Sequence, residues 1–86
     1  MEVIYATRAK EDRTYWEQHN TKITEKIDRL IADIQIHPFT GLGKPEALKF
    51  EKAGYWSRRI NQEHRLVYKV AEGRLYIAQC RYHYEK

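Results

Sequence analysis

The chain is 86 residues long, carries 16 Lys/Arg against 12 Asp/Glu, and has a formal charge of +4 and a pI near 9.3. That length suffices for one modest hydrophobic core and not two, so a single domain over residues 1–86 is expected. Apolar stretches of only a few residues argue against a membrane span, the absence of a basic start and apolar block in residues 1–6 argues against a secretory signal, and one cysteine, Cys80, cannot close an internal disulfide; the cytosol is the expected location.

Val3-Ile4-Tyr5 is a short β-prone run, followed by Thr7 as an N-cap for a helix from Arg8 to about His19. After Asn20-Thr21, the apolar residues Ile23, Ile27, Leu30, Ile31 and Ile34 recur at helical spacing and form one stripe. His37-Pro38 ends that helix near Ile36, because proline cannot donate to the ladder and biases its predecessor away from helical angles. The segment Phe39 to Pro45 has the glycine and proline content of a loop, with Phe39 and Leu42 expected to tuck back on the core. Glu46 to Phe50 reads as an edge strand. Three further β-like runs follow, Tyr55 to Ile60, His64 to Val70 and Leu75 to Tyr84, with connections short enough for an antiparallel meander. The outline is α+β: two N-terminal helices packed on one face of a twisted, mainly antiparallel sheet of about four to five strands, the other face, or one end of it, left open to a ligand.

Charge is unevenly distributed. Residues 1–43 hold six Lys/Arg against seven Asp/Glu, and residues 44–86 hold ten against five, so the second half carries a net +5. It also holds seven of the eleven aromatic residues, and Arg/Lys mixed with Tyr/Trp suits phosphates and unpaired bases. Side chains alternate along a strand, so Tyr55, Ser57 and Arg59 share one face and Trp56, Arg58 and Ile60 the other; only one of the two arginines is expected to face a ligand, the other being an ordinary surface charge. Arg65 should point away from the apolar Leu66. In the last run neither face is cleanly apolar, and alternation does not say which looks at the helices.

Four ordered blocks carry a family resemblance: Lys44-Pro45-Glu46-Ala47-Leu48-Lys49, Tyr55-Trp56-Ser57-Arg58-Arg59-Ile60, Glu63-His64-Arg65-Leu66-Val67-Tyr68 and Cys80-Arg81-Tyr82-His83-Tyr84. With the Tyr15-Trp16 helix and the His37-Pro38-Phe39 turn, they resemble the YoeB-type toxins of the RelE superfamily. The resemblance implies a RelE-like, microbial-ribonuclease-like fold and a ribosome-dependent mRNA interferase that cuts in the A site without metal or cofactor. It implies Glu46 as general base on the 2′-OH, Arg65 as the cation on the charged phosphate and His83 as general acid on the leaving 5′-oxygen. Arg59 and Lys49 would hold the RNA backbone and Tyr84 would lie beside the scissile group. Implied partners are a YefM-type antitoxin, a second copy in a dimer, and operator DNA reached only through the antitoxin complex. The family usually ends at the tyrosine, whereas this chain continues with Glu85-Lys86.

Taken singly, these residues have plainer readings. A loop glutamate is ordinarily solvated, and a histidine near a chain end is ordinarily just exposed. His64 is expected to cap or brace the neighbouring turn, Tyr15 and Trp16 to pack in the core, and Cys80 to be a small buried hydrophobe rather than a nucleophile. His64 and His83 lie too far apart in sequence, with no carboxylate cluster, to suggest a metal site. Two other functional classes remain open: a non-catalytic RNA- or ribosome-binding module, and a component acting mainly through its antitoxin on operator DNA. Arginines near a carboxylate stabilise its charge and weaken it as a base, so Arg65→Ala should cost more activity than His83→Ala.

Overall fold

The computed structural model describes residues 1–83. In chain order it comprises β1 (Glu2–Tyr5), α1 (Thr7–His19), α2 (Thr21–Ile36), β2 (Glu46–Ala47), a single 3₁₀ turn (Phe50–Lys52), β3 (Trp56–Arg59), β4 (Arg65–Ala71) and β5 (Arg74–Gln79). The sheet runs β1-β5-β4-β3-β2, antiparallel except for the β1–β5 pair, which is parallel. The expected α+β layering is therefore present, with five strands.

The apolar stripe of α2 drives the packing. Ile27, Leu30, Ile31 and Ile34 are buried in one cluster with Leu66, Tyr68, Leu75 and Ile77 from the strands and Trp16 from α1. Asn20 caps α2 by accepting the Lys22 N–H at 3.2 Å. The first helix has no such stripe, burying only Ala9, Asp12 and Trp16. It is held by polar contacts: Arg13 reaches Asp28 of α2 at 2.8 Å and donates to the Tyr5 hydroxyl at 3.1 Å. Thr7 is not its cap. The helix begins at Thr7 itself, with Ala6 at the cap and no side-chain cap bond. Ala6 N–H donates to Ile77 O at 2.9 Å, so the β1–β5 ladder fixes the point at which the chain turns into the helix.

Several strand ends differ from the expected ones. Ala71 and Arg74 belong to the β4–β5 ladder, leaving Glu72 and Gly73, at φ +54° and +73°, as a two-residue turn whose twist suits a hairpin. The edge strand stops at Ala47, and Phe50, at φ +57°, opens the 3₁₀ turn. The last strand ends at Gln79 rather than Tyr84 because its register slips: Tyr68 faces Ile77 while Val67 faces Gln79, which leaves Ala78 as an extra, bulged residue. Leu75 and Ile77 thus face the helices, after which Gln79 turns to the open face and Cys80 to the core. The bulge explains why neither face of this run reads as apolar in sequence.

Arg58 corrects another expectation. It is not a surface charge but a fully buried cation, on the helix side of the sheet. Its guanidinium donates to Asp33 Oδ2 at 2.5 Å, Leu42 O at 3.1 Å, Thr40 O at 2.7 Å and the Tyr68 hydroxyl at 3.2 Å, and also to His37 O. One side chain thereby collects the loose carbonyls of the loop between α2 and β2, the partners a buried charge requires. Because this hub holds the loop, Phe39 and Leu42 need not anchor it: they stay 48% and 49% exposed, Phe39 only leaning on Trp56 at 4.8 Å between centroids.

Arg58, and then the Leu42 N–H, hold the Asp33 carboxyl below its ordinary value near 3.8. A depressed carboxylate contributes stability that is fully present above the unfolded-state value and is lost as pH falls through the lower folded value. Acid titration followed by circular dichroism should therefore show wild type losing stability below about pH 4 more steeply than Asp33→Asn. Equal slopes would mean that the pair contributes nothing.

Candidate functional site

The face of the sheet away from the helices is organised in rows, because residues opposite one another in a ladder share a face. Glu46 opposes Ser57, Ser57 opposes Val67, and Val67 opposes Gln79, so one row crosses four strands. In the adjoining row Arg59 opposes Arg65. Arg65 lies with its neighbour Leu66 directed into the core, and its Nη1 donates to Ser57 Oγ at 2.9 Å. Ser57 thus orients the Arg65 guanidinium from the residue that faces Glu46. Arg59 is exposed in the same row, while its own N–H donates to Gly43 O at 2.6 Å.

That bond straps the approach to Glu46 onto β3. The strap needs glycine at two points: a Cβ at Gly41, φ +107°, would lie 2.2 Å from Asp33 Oδ2, and one at Gly43, φ +79°, would lie 3.0 Å from Arg59 O. The Arg58 hub, the two glycines and the two-residue β2 together determine where Glu46 sits. Lys49 is exposed just beyond β2, at the start of the 3₁₀ turn.

His83 lies outside the sheet and reaches this surface by another route. Cys80 N–H donates to Asp12 Oδ2 at 3.0 Å, and Trp16 Nε1–H donates to Cys80 O at 2.8 Å, so α1 grips the chain as it leaves β5. Arg81 stacks over the Tyr15 ring at 3.4 Å, and Arg8 donates to its carbonyl at 3.2 Å. Tyr82, at φ +64°, turns the backbone: its N–H donates to His64 Nδ1 at 2.7 Å and its carbonyl accepts the Arg65 N–H at 3.1 Å. Gln79 Nε2 then donates to Arg81 O and His83 O, each at 3.1 Å. Gln79 belongs to the Glu46–Ser57 row, so it moors His83 to the end of that row. The His83 residue is exposed.

His64 closes the neighbouring turn through its backbone: its carbonyl accepts the Ile60 and Asn61 N–H groups at 3.0 and 3.3 Å, and Asn61 Oδ1 accepts the N–H groups of Glu63 and His64 at 2.8 Å. Its ring adds a role the sequence did not show, holding the C-terminal segment, and to accept from Tyr82 its Nδ1 must carry no proton. Tyr15 is not core: it is half-buried, between His19, stacked at 4.1 Å, and Arg81. The structure thus gathers Glu46, Arg59 and Arg65 on one face and ties the His83 backbone to it. Tyr84 and the Glu85-Lys86 extension lie outside the described residues. Four supporting residues were missed in sequence: Ser57, Arg58, His64 and Gln79. Alternation already placed Ser57 between Tyr55 and Arg59; the bulge hid Gln79.

Among the described residues, no group of three His, Cys, Asp or Glu side chains is placed to hold a metal ion, and no helix is long and apolar enough to cross a membrane. Burial, with the Asp12 charge adding to it, pushes the Cys80 thiol up to about 12. Iodoacetamide at pH 8 should leave Cys80 unmodified in the folded chain and alkylate it fully in guanidinium, read by mass spectrometry. Rapid labelling of the folded form would contradict this environment.

Residues 5–84 match the family described as YoeB-like toxin of bacterial type II toxin-antitoxin system. Toxin YoeB of Streptomyces coelicolor is 50% identical over 98% of this chain and 100% of its own length. Among solved structures, the YoeB dimer from Staphylococcus aureus aligns with TM-score 0.92 at 44% identity, covering 98% of both chains. The toxin chain matched in the YoeB-YefM complex from the same organism aligns with TM-score 0.91 at 45% identity, again over 98% of each chain.

Proposed function

Because this chain belongs to the YoeB-like toxins of bacterial type II toxin–antitoxin systems, we propose that it is a cytoplasmic, single-domain endoribonuclease that cuts mRNA in the ribosomal A site and so halts translation. The reading is carried by one observation: the Glu46–Ser57 and Arg59–Arg65 rows lie side by side on the face away from the helices, with Gln79 of the first mooring His83.

Glu46 takes the proton of the 2′-OH, whose oxygen attacks the adjacent phosphorus. Arg65, oriented by Ser57, stabilises the charge gathered on the phosphorane oxygens. The P–O5′ bond breaks as His83 gives a proton to the leaving oxygen, producing a 2′,3′-cyclic phosphate, or its opened 3′-phosphate, and a 5′-hydroxyl. Arg59 and Lys49 hold the RNA backbone, and the family resemblance adds Tyr84, outside the described residues, as a further residue for the scissile group. No metal or cofactor enters this scheme. A YefM-like antitoxin neutralises the toxin, operator DNA is reached through that complex, and a second copy forms a homodimer; the Staphylococcus aureus relatives support both protein partners.

The test is translation-coupled cleavage of a defined mRNA, mapped by primer extension for wild type beside Glu46→Ala. Discrete A-site cuts that fall about a hundredfold or more in the variant are expected. Arrested translation with intact mRNA would make the chain a ribosome-binding module instead.

A further inference from the structure

The face away from the helices continues past the Glu46–Ser57 row into a third row that the scheme above does not use. Lys69 faces Tyr76 across the β4–β5 ladder, and Tyr55 precedes Trp56, whose partner is Tyr68. All three point away from the helices, since their neighbours Trp56, Tyr68, Val70, Leu75 and Ile77 pack in the core. All three are half-buried. The Lys69 ammonium lies 5.1 Å from the Tyr55 ring centre and 5.6 Å from that of Tyr76. Arg74, farther along this face, is already neutralised by Glu2 at 3.1 Å. Lys69 is instead held by two ring faces, a contact it can exchange for a stronger anion.

We propose that Tyr55, Lys69 and Tyr76 form a subsite for the nucleotide adjoining the cleaved step, its unpaired base stacked on a tyrosine face and its phosphate on Lys69. The subsite rests on the RNA-cleaving reading above and extends it by one residue of substrate. Two features favour RNA over a protein on this patch. It shares the face of the Arg59–Arg65 cations, with the Ser57 row between them, and it lies two strand residues, about 7 Å, from that row, within reach of a neighbouring nucleotide. Binding moves the ammonium from the rings to the phosphate and frees the ring faces. A stacked base is worth more than the exposed cation–π contact it displaces.

The experiment uses fluorescence anisotropy with short single-stranded RNAs bearing one 2′-deoxy nucleotide at the cleaved position, which blocks attack and keeps the probe whole. An abasic site is placed on either flank. For wild type, one of the two abasic probes should bind about tenfold more weakly than the intact probe. For the Tyr55→Ala/Tyr76→Ala double variant the two should bind alike, and Tyr→Phe at both positions should restore the difference, because stacking needs the ring and not the hydroxyl. Lys69→Ala should lower the salt dependence of binding by about one phosphate contact. Equal abasic penalties in wild type and the alanine variant would overturn the subsite. So would an alanine variant that binds RNA normally but loses self-association in sedimentation, which would make the patch a protein interface. Should wild type fail to cut all-ribose RNA on or off ribosomes while the anisotropy coupling persists, the nuclease reading falls and what stands is a base-stacking RNA site, not a subsite of cleavage.

Discussion

On the proposed mRNA-cleaving reading, Arg65→Ala should lower the single-turnover cleavage rate about a thousandfold and His83→Ala about a hundredfold. The order follows from how each side chain is held. Arg65 stands on a central strand, its guanidinium oriented by Ser57 at 2.9 Å, in the row beside Glu46. A fixed cation needs little reorganisation as charge builds on the phosphorane, which is where preorganised charge counts most. His83 is exposed beyond the sheet and is tied through its backbone to Gln79. Water can replace part of what an exposed acid does. Rates of single turnover on programmed ribosomes decide the matter, and the opposite order would mean that proton transfer to the leaving oxygen is the harder half of the reaction. Ser57→Ala is informative beside them, because it removes the orienting hydroxyl and leaves the charge.

Arg58→Met should cost about 3–5 kcal/mol of stability, enough to lower Tm by more than about 12 °C in a domain of this size. Removing the fully buried guanidinium strands the Asp33 carboxylate and the carbonyls of His37, Thr40 and Leu42. A chain of 86 residues has only about 4–13 kcal/mol in total, so this variant stands near the limit of folding. Combining Arg58→Met with Asp33→Leu should recover part of the loss, since the stranded carboxylate disappears with its partner. Thermal melts of both single variants and the double variant close the cycle. A neutral Arg58→Met would show that the loop is held by its glycines and by the Arg59–Gly43 bond alone.

The second helix was legible because its stripe has the helical period and Pro38 marks its end. The strands were legible wherever alternation is regular. Alternation separated Arg58 from Arg59 but did not reveal burial: an arginine in a strand reads as surface until its partners are known, and those come from positions 33 to 42, remote in sequence. The first helix was legible in extent, from about Arg8 to His19, but not in how it is held, because polar bonds, from Asp12 and Trp16 to Cys80, do much of the work of an apolar stripe. In the candidate site, resemblance supplied Glu46, Arg65 and His83. The residues that orient Arg65 and the segment carrying His83, namely Ser57, His64 and Gln79, emerge only from the three-dimensional arrangement.

The extra residue at Ala78 sets two demands on β5 against each other. A regular period would lengthen the ladder and give a firmer edge to the core, but it would turn Gln79 inward and Cys80 outward, detaching the last described residues from both α1 and the sheet. Selection for thermal robustness alone would favour smoothing this strand, and selection for activity would resist it. The irregularity is therefore a place where the molecule forgoes ladder regularity to keep the segment carrying His83 in position, and on the proposed function, sequences redesigned for maximal stability should drift toward inert but well-folded forms at this point.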